Sequence, residues 1–292
     1  MSLKQDRKSR CSIGRFIAAL LRPFMSEPPP RPPQLPHLFF HSPDTRRTEN
    51  VVDWNSHMSQ YLDDDDDTNY YTKCFLRHIE YCKCSQGVEH EFLVFYFGHW
   101  TSRSSAVGVV CADRTVSIHS DDSSSSGQPS GLVSPSSTDN IAHDIVTIFG
   151  SPHDATRYLT KTYGSFKILC RLKFTPSSPP SALQVSVVLS LVNDHSRNYQ
   201  YIYERQCYWF ADTVWKSLKR LFPENAELCT RHSVRCRCGP FHLGPSEESV
   251  DVVCEGYKMA WNNTLEQMRE ARRRRAARQE RVGLCSTEVL IY

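Results

Sequence analysis

The sequence lacks the features that define several large classes of protein. No apolar run approaches the roughly 20 residues that a membrane-spanning helix needs, which excludes a multi-span membrane protein. Glycine is scarce, at 12 of 292 residues, which excludes a collagen-like chain. Charge of one sign is in little excess, with a formal net charge of +3, so any binding to a polyanion must be local. The 39% of hydrophobic residues is compatible with a packed core, which excludes a fully disordered chain.

Complete catalytic signatures are also missing. The chain contains no glycine-rich phosphate loop, no G-x-S-x-G elbow and no H-E-x-x-H helix. We therefore predict no bound cofactor and assign no residue as a metal ligand.

The N-terminal region lacks a secretory signal. Residues 13–24 are moderately apolar but carry Arg15 and Arg22, and no run of small residues supplies a cleavage site. The 12 cysteines are fewer than a small disulfide scaffold of this length would carry. We therefore predict a reducing, cytoplasmic or nuclear location with mostly free thiols.

Three segments of low complexity divide the chain. Residues 26–36 are rich in proline, which favours a polyproline II conformation and serves either as a stiff spacer or as a ligand of SH3 or WW domains. Residues 63–67 are five consecutive aspartates, which favour a solvated linker. We therefore predict that residues 1–69 form a disordered arm, that a globular domain spans 70–255, and that the Ser-rich segment 120–138 is a disordered loop within it.

Hydrophobic periodicity locates the regular elements. Runs of β-branched and aromatic residues predict strands, and apolar residues at spacings of three and four predict helices, most clearly over 206–221 before Pro223. The predicted strands are 89–97, 106–112, 115–119, 166–174 and 199–203, and the predicted helices are 140–149, 182–193 with Ser181 as N-cap, 206–221 and 257–281. The predicted fold class is α+β, with an antiparallel sheet packed against a few helices and a basic helical tail over 256–292.

One pair of residues has the types needed for covalent chemistry. His90 lies on the first long predicted strand, and Cys207 opens the clearest predicted helix. A cysteine attacks as its thiolate, and the partial positive charge at a helix N-terminus favours that form. A histidine in contact with the cysteine would hold the ion pair and return the proton. The alternative is a packed cysteine and a histidine at the edge of the core, because free cysteine is among the most buried residue types.

The order of these residues resembles that of the circularly permuted papain-like group, which includes relatives of NlpC/P60 peptidases and of lecithin:retinol acyltransferase. The helix motif of that group is similar to Asn-Cys-Glu-His-Phe, and this chain has Gln-Cys-Tyr-Trp-Phe at 206–210. Residues 89–93 (Glu-His-Glu-Phe-Leu) and 203–211 (Tyr-Glu-Arg-Gln-Cys-Tyr-Trp-Phe-Ala) also resemble segments of uncharacterised proteins of mushroom-forming fungi. The resemblance covers approximately residues 85–222.

The resemblance implies an enzyme that transfers or hydrolyses an acyl group of an amide or ester. Cys207 would be the nucleophile and His90 the base. The polar residue that orients the base is expected on a following strand, where Asp113 and His119 are both candidates. Two aromatic residues follow the cysteine where the group has Glu-His, and this difference favours the alternative of a non-catalytic interaction protein on the same fold.

Two clusters of cysteine and histidine have residue types that bind zinc. If 73–84 is helical, His78 and Cys82 share one face and two half-sites could assemble. This would give a zinc-stabilised, nucleic-acid-associated protein, whereas the alternative is loose thiols in flanking segments. Each cluster contains a C-x-C step rather than the common C-x2-C step. The clusters are Cys74, His78, Cys82 and Cys84, and Cys229, His232, Cys236, Cys238 and His242.

Arginines dominate the last predicted helix. Such a helix fits an anionic partner, which could be nucleic acid, an acidic membrane surface, the nuclear-import machinery or an acidic protein. The alternative is a solvated terminal helix that Glu266, Glu270 and Glu280 partly neutralise. The arginines are Arg269, Arg272, Arg273, Arg274, Arg275, Arg278 and Arg281, and we call them the basic tail.

Overall fold

The computed structural model describes residues 46–60, 74–85, 89–99, 107–116, 142–197, 207–230, 234–238, 241–242 and 247–288. These residues form a seven-stranded antiparallel sheet, a separate two-stranded hairpin and five helices. The predicted α+β fold class is therefore confirmed.

The elements alternate along the chain. The strands are β1 (Arg47–Asn50), β2 (Cys74–Cys84), β3 (Glu91–His99), β4 (Gly108–Val116), β5 (Ala142–Phe149), β6 (Phe166–Phe174), β7 (Asn225–Cys229), β8 (Arg237–Cys238) and β9 (Phe241–His242). The helices are α1 (Val51–Gln60), α2 (Pro152–Tyr163), α3 (Ala182–Arg197), α4 (Cys207–Leu221) and α5 (Glu247–Glu288). The large sheet has the order β1-β5-β4-β3-β2-β6-β7, and each neighbouring pair in it is antiparallel.

The two faces of the sheet are covered unequally. Alternate residues of a strand point to opposite faces, and β3 shows this pattern clearly. Leu93, Phe95 and Phe97 belong to the main core, together with apolar residues of α1, α3, α4 and α5. Phe92 and Val94 belong to a smaller cluster that includes two residues of α2. The sheet therefore has a thick helical layer on one face and a single short helix on the other.

The helix α4 lies in the main core, as its sequence pattern predicts. Phe210, Val214 and Leu218 are completely buried. Helix α3 begins with the predicted N-cap, because the Ser181 hydroxyl accepts a hydrogen bond from the Gln184 backbone N–H at 3.2 Å. The Gln184 side chain accepts in return from the Ser181 N–H at 2.8 Å, which completes a capping box.

One prediction between residues 106 and 149 is wrong, and another is made more exact. The segment predicted as a helix at 140–149 is strand β5, which pairs with both β1 and β4. Its run of Val146, Thr147 and Ile148 suits a strand buried within a sheet. The predicted strands 106–112 and 115–119 are not separate, because β4 passes through Asp113 and Arg114 without a break and both side chains have partners within the fold.

Regular structure is present before the predicted boundary at residue 70. Strand β1 and helix α1 lie within the predicted arm, and Val51, Trp54 and Met58 are buried in the main core. At the other end, α5 starts before residue 256 and buries Val250 and Val253, so the predicted tail boundary falls inside one continuous helix.

Other predictions fall outside the described residues. These are the Pro-rich segment 26–36, the acidic run 63–67, the Ser-rich segment 120–138 and the strand 199–203. Among the helices that the structure describes, none is both long and apolar enough to cross a membrane.

Candidate active site

Cys207 is the first residue of α4 and is partly exposed. The next three residues of the helix, Tyr208, Trp209 and Phe210, are buried and fix its first turn in the core. The first N–H groups of a helix have no partner within the helix, and together with the helix dipole they favour a negative charge at this end. The thiol therefore occupies a position that stabilises a thiolate.

A buried ion pair supports the first turn of α4 from the sheet. The Arg114 guanidinium contacts the Asp144 carboxylate through two hydrogen bonds of 2.6 and 2.7 Å. The Arg114 guanidinium carbon also lies 5.1 Å from the centre of the Trp209 ring and 5.4 Å from that of Phe210. The residues that follow Cys207 are thus packed on a fixed, planar cation.

His90 lies immediately before β3 and joins two of the predicted site residues. Its Nε2 atom is 2.6 Å from Asp113 Oδ1, and the Cys207 side chain is near enough to act on the charge of the ring. Because Nε2 faces Asp113, Nδ1 is the ring nitrogen left for the thiol. The His90 backbone carbonyl accepts from the Cys84 N–H at 2.8 Å, which holds this turn against β2.

The charges around His90 favour its protonated form. Burial lowers the pKa of His90, but the Asp113 carboxylate and the Cys207 thiolate act in the opposite direction and raise this pKa well above its ordinary value of 6.5. The Asp113 side chain is 2% exposed and that of His90 is 19% exposed, so the acidic partner is sealed and the base is accessible. The arrangement suits a thiolate–imidazolium pair with a buried counter-ion.

Tyr163 completes the surroundings of Asp113. Its hydroxyl donates a hydrogen bond to Asp113 Oδ2 at 2.5 Å. Its ring stacks on Phe92 and on His90, with centroid distances of 4.7 and 5.4 Å. No sequence pattern points to this residue, because Tyr163 is 50 positions from Asp113 and ends a helix that was not predicted.

The structure thus brings Cys207, His90 and Asp113 together. Asp113 is the candidate orienter that contacts His90, whereas His119 lies outside the described residues. Three elements supply the contacts: the start of β3, the middle of β4 and the first residue of α4.

The buried thiols differ in character from Cys207. Burial raises the pKa of Cys74 to about 12, and it raises those of Cys82 and Cys111 well above the ordinary value. These side chains are inert at neutral pH, because a thiol reacts as its thiolate. Cys170 and Cys229 form a disulfide between β6 and β7.

The described parts of the two cysteine–histidine clusters do not assemble into one site. Residues 74–84 form a strand rather than a helix, so His78 and Cys82 lie ~13 Å apart along it. Cys229 belongs to the disulfide, and the Cys236 thiol lies 3.4 Å from the Tyr81 hydroxyl. Within the described residues, the group with ligand atoms close enough for a metal is Cys170, Glu227 and Cys229, and two of its members are bonded to each other. His232 lies outside the described residues.

A second polar cluster lies beside the site, and we call it the buried charge network. Glu91 is completely buried and accepts hydrogen bonds from the Tyr81 hydroxyl at 2.6 Å and from the Cys236 N–H at 3.1 Å. Lys83 Nζ lies 3.2 Å from Glu91 Oε1 and donates to the Val234 carbonyl at 3.2 Å. The network therefore fixes the turn at 234–238 against β2 and β3.

The same turn is also tied to α4. Arg235 Nε lies 3.0 Å from Asp212 Oδ1, and Arg235 Nη1 lies 3.3 Å from Glu227 Oε1. In the sequence this region stands out only for its cysteines and histidines, and its charged residues give no signal of their partners. The members of the buried charge network are Lys83, Glu91, Asp212, Glu227 and Arg235.

Comparisons of the chain with protein-family models, with curated proteins and with solved structures found no match. The function must therefore be inferred from the geometry of the site.

Proposed function

We propose that this chain is a papain-like thiol enzyme that transfers or hydrolyses an acyl group from an amide or ester. The observation that supports the proposal is the grouping of Cys207, His90 and Asp113: Cys207 lies at a helix N-terminus and acts on the charge of His90, and the His90 ring is hydrogen-bonded to Asp113. The order along the sequence, with histidine first, the acidic residue next and cysteine last, supports the circularly permuted form of this arrangement.

The proposed reaction has two steps. His90 takes the thiol proton of Cys207, and the thiolate attacks the carbonyl carbon of the substrate. The leaving amine or alcohol then takes the proton from His90, and a thioester remains on Cys207. In the second step His90 deprotonates water or an acceptor nucleophile, which attacks the thioester and carries the acyl group away. The departing Cys207 sulfur then takes the proton back from His90 and is restored as a thiol. Asp113 holds the ring and stabilises its cation throughout.

The developing oxyanion needs donors close to the attacking sulfur. The first backbone N–H groups of α4 have no partner within the helix and lie at this end, so we assign them this role. The helix end that carries the nucleophile thus also stabilises the tetrahedral intermediate.

Thiol labelling tests the proposal. We expect iodoacetamide at pH 6.5 to label Cys207 well before Cys74, Cys82 and Cys111, because among these four thiols Cys207 combines exposure with a cationic partner. Mass spectrometry of peptides labelled between pH 5 and pH 9 gives the rates.

The His90→Ala variant should slow labelling of Cys207, whereas His78→Ala, which removes a histidine stacked on Tyr96, should not. Incubation of the wild type with p-nitrophenyl acetate should leave an acetyl thioester on Cys207 that hydroxylamine removes. A Cys207 that labels as slowly as the buried thiols, or that is indifferent to His90, would overturn the proposal.

We also propose that the basic tail binds an anionic partner in the cytoplasm or nucleus. Ala271 is buried, but Arg272, Arg273 and Arg274 are exposed where α5 continues past it. Glu266 and Glu270 pair with Arg269 and Arg274, which leaves a net positive charge on this part of the helix. Retention on a polyanionic matrix such as heparin tests this proposal.

A further inference from the structure

Tyr163 contacts two members of the proposed catalytic chain at once. Its hydroxyl donates to Asp113 Oδ2 at 2.5 Å, whereas His90 Nε2 lies 2.6 Å from the other oxygen, Oδ1. Its ring also lies against the imidazole, with an interplanar angle of 22°. One tyrosine therefore restrains both the carboxylate and the ring that the carboxylate orients.

A carboxylate needs two restraints to hold a fixed plane. The torsion that turns the carboxylate of an aspartate is broad, so one hydrogen bond leaves the group free to rotate. Asp113 has a donor at each oxygen and is almost completely buried, so neither rotation nor solvent competes with the contact to His90.

The end of α2 fixes the position of Tyr163. Ala155 and Leu159 of this helix are buried against the sheet, which determines where the helix ends. Gly164 follows in a backbone conformation with φ of 69°, and its N–H bonds the Thr160 carbonyl at 3.0 Å. A residue with a side chain would be strained at that φ, so the glycine lets the helix stop directly after Tyr163.

We infer that Tyr163 is a positioning residue, which acts through Asp113 to hold His90 in the orientation that contacts Cys207. This inference rests on the proposed function. The groups that face His90 are Asp113 from β4, Cys207 from α4, Cys84 from β2 and Tyr163 from α2.

The test is the ionisation of His90 in the folded protein. Tyr163→Phe removes the hydroxyl and keeps the ring contacts, so the Asp113 carboxylate is free to turn away from His90. We expect the pKa of His90, followed by NMR of the labelled imidazole, to fall by about one unit, because an adjacent opposite charge favours the charged form. Tyr158→Phe is the matched control, since Tyr158 lies on the same helix and packs on Phe149, 5.2 Å away between ring centres.

Cys207 labelling gives the second readout. Tyr163→Phe should lower the alkylation rate at pH 6.5 by about threefold to tenfold and leave the rate at pH 9 unchanged, because a weaker imidazolium stabilises less thiolate at the lower pH. In an Asp113→Asn background the same change should add little, because residues that act through one another are not additive.

The outcomes separate the two proposals. If Cys207 of the wild type is not labelled selectively, the proposed enzymatic function is overturned. The NMR titration then still shows whether Tyr163 controls the pKa of His90. A His90 pKa that rises or stays constant in Tyr163→Phe overturns the positioning role, as does an undiminished effect of Tyr163→Phe in the Asp113→Asn background.

Discussion

His90 and Glu91 are neighbours in sequence, but they belong to two polar clusters of opposite character. Glu91 is sealed in the buried charge network, where Tyr81, Lys83 and Cys236 supply its partners. His90 belongs to a chain that begins at buried Asp113 and ends at the partly exposed thiol of Cys207. The comparison separates two arrangements: Glu91 is enclosed by partners and ties several elements together, whereas the chain that contains His90 ends at a side chain that solvent reaches.

The largest expected effect is the removal of Glu91. Glu91→Ala removes the buried carboxylate partner of Lys83 and the acceptor of the Tyr81 hydroxyl and the Cys236 N–H, and we expect a loss of about 3–5 kcal/mol in the free energy of unfolding. Denaturant titration measures it. Glu89→Ala is the matched control, because Glu89 also pairs with Lys83 but is 44% exposed, and its removal should cost less than ~1 kcal/mol. Equal losses of unfolding free energy in the two variants would show that burial of the carboxylate makes no difference to its contribution.

The next largest effect is a pH dependence of the unfolding free energy, which we attribute to His90. Its folded pKa is raised, so protonation stabilises the fold fully below the unfolded pKa of about 6.5, and this stabilisation is lost as the pH rises through the folded value. The difference in unfolding free energy between the wild type and His90→Asn should therefore be larger at pH 5.5 than at pH 9. Thermal or denaturant unfolding at both pH values measures it, and a difference that grows toward pH 9 would contradict the assignment.

The smallest effect on stability is expected from the exposed arginines of the basic tail, which belong to neither of the two polar clusters. Replacing Arg272, Arg273 and Arg274 with glutamine should change the unfolding free energy by less than ~0.5 kcal/mol, since all three are exposed. Binding to heparin should weaken, and the slope of its logarithmic salt dependence should become shallower by about one for each arginine that no longer pairs with an anionic group of the matrix. Lys258→Gln, an exposed change on the same helix outside the basic tail, should leave heparin binding nearly unchanged. Unaltered binding of the triple variant would exclude the basic tail as the anion site.

Long, uninterrupted patterns were the predictable part of the fold. Strand β6 and helix α4 lie within one residue of their predicted bounds, because each has a sustained period and a clear end. The helix predicted at the position of β5 is wrong, because a short apolar run suits either element and tertiary pairing decides between them. Helix α1 was not predicted, because its three buried residues are spread among polar ones in a segment next to low-complexity sequence.

The sequence predicts only those site residues whose type and position within a helix or strand already indicate a chemical role. Cys207 and His90 stood out because one opens a helix and the other lies at the start of a strand. The choice between Asp113 and His119 depended on strand register, which sequence spacing does not give. Tyr163 had no local signal, because its role comes entirely from a partner brought near by folding.

The order of assembly follows from where these side chains lie in the chain. Positions 90, 113, 163 and 207 come from four elements, and α4 must dock on strands completed about a hundred residues earlier. Contacts of such long sequence separation form late, because the entropy of closing the intervening loops must be overcome before they bring any gain. In a nascent or partly unfolded chain Cys207 has neither its helix nor its histidine, and it is an ordinary thiol. The topology therefore couples the reactivity of the proposed nucleophile to the completion of folding.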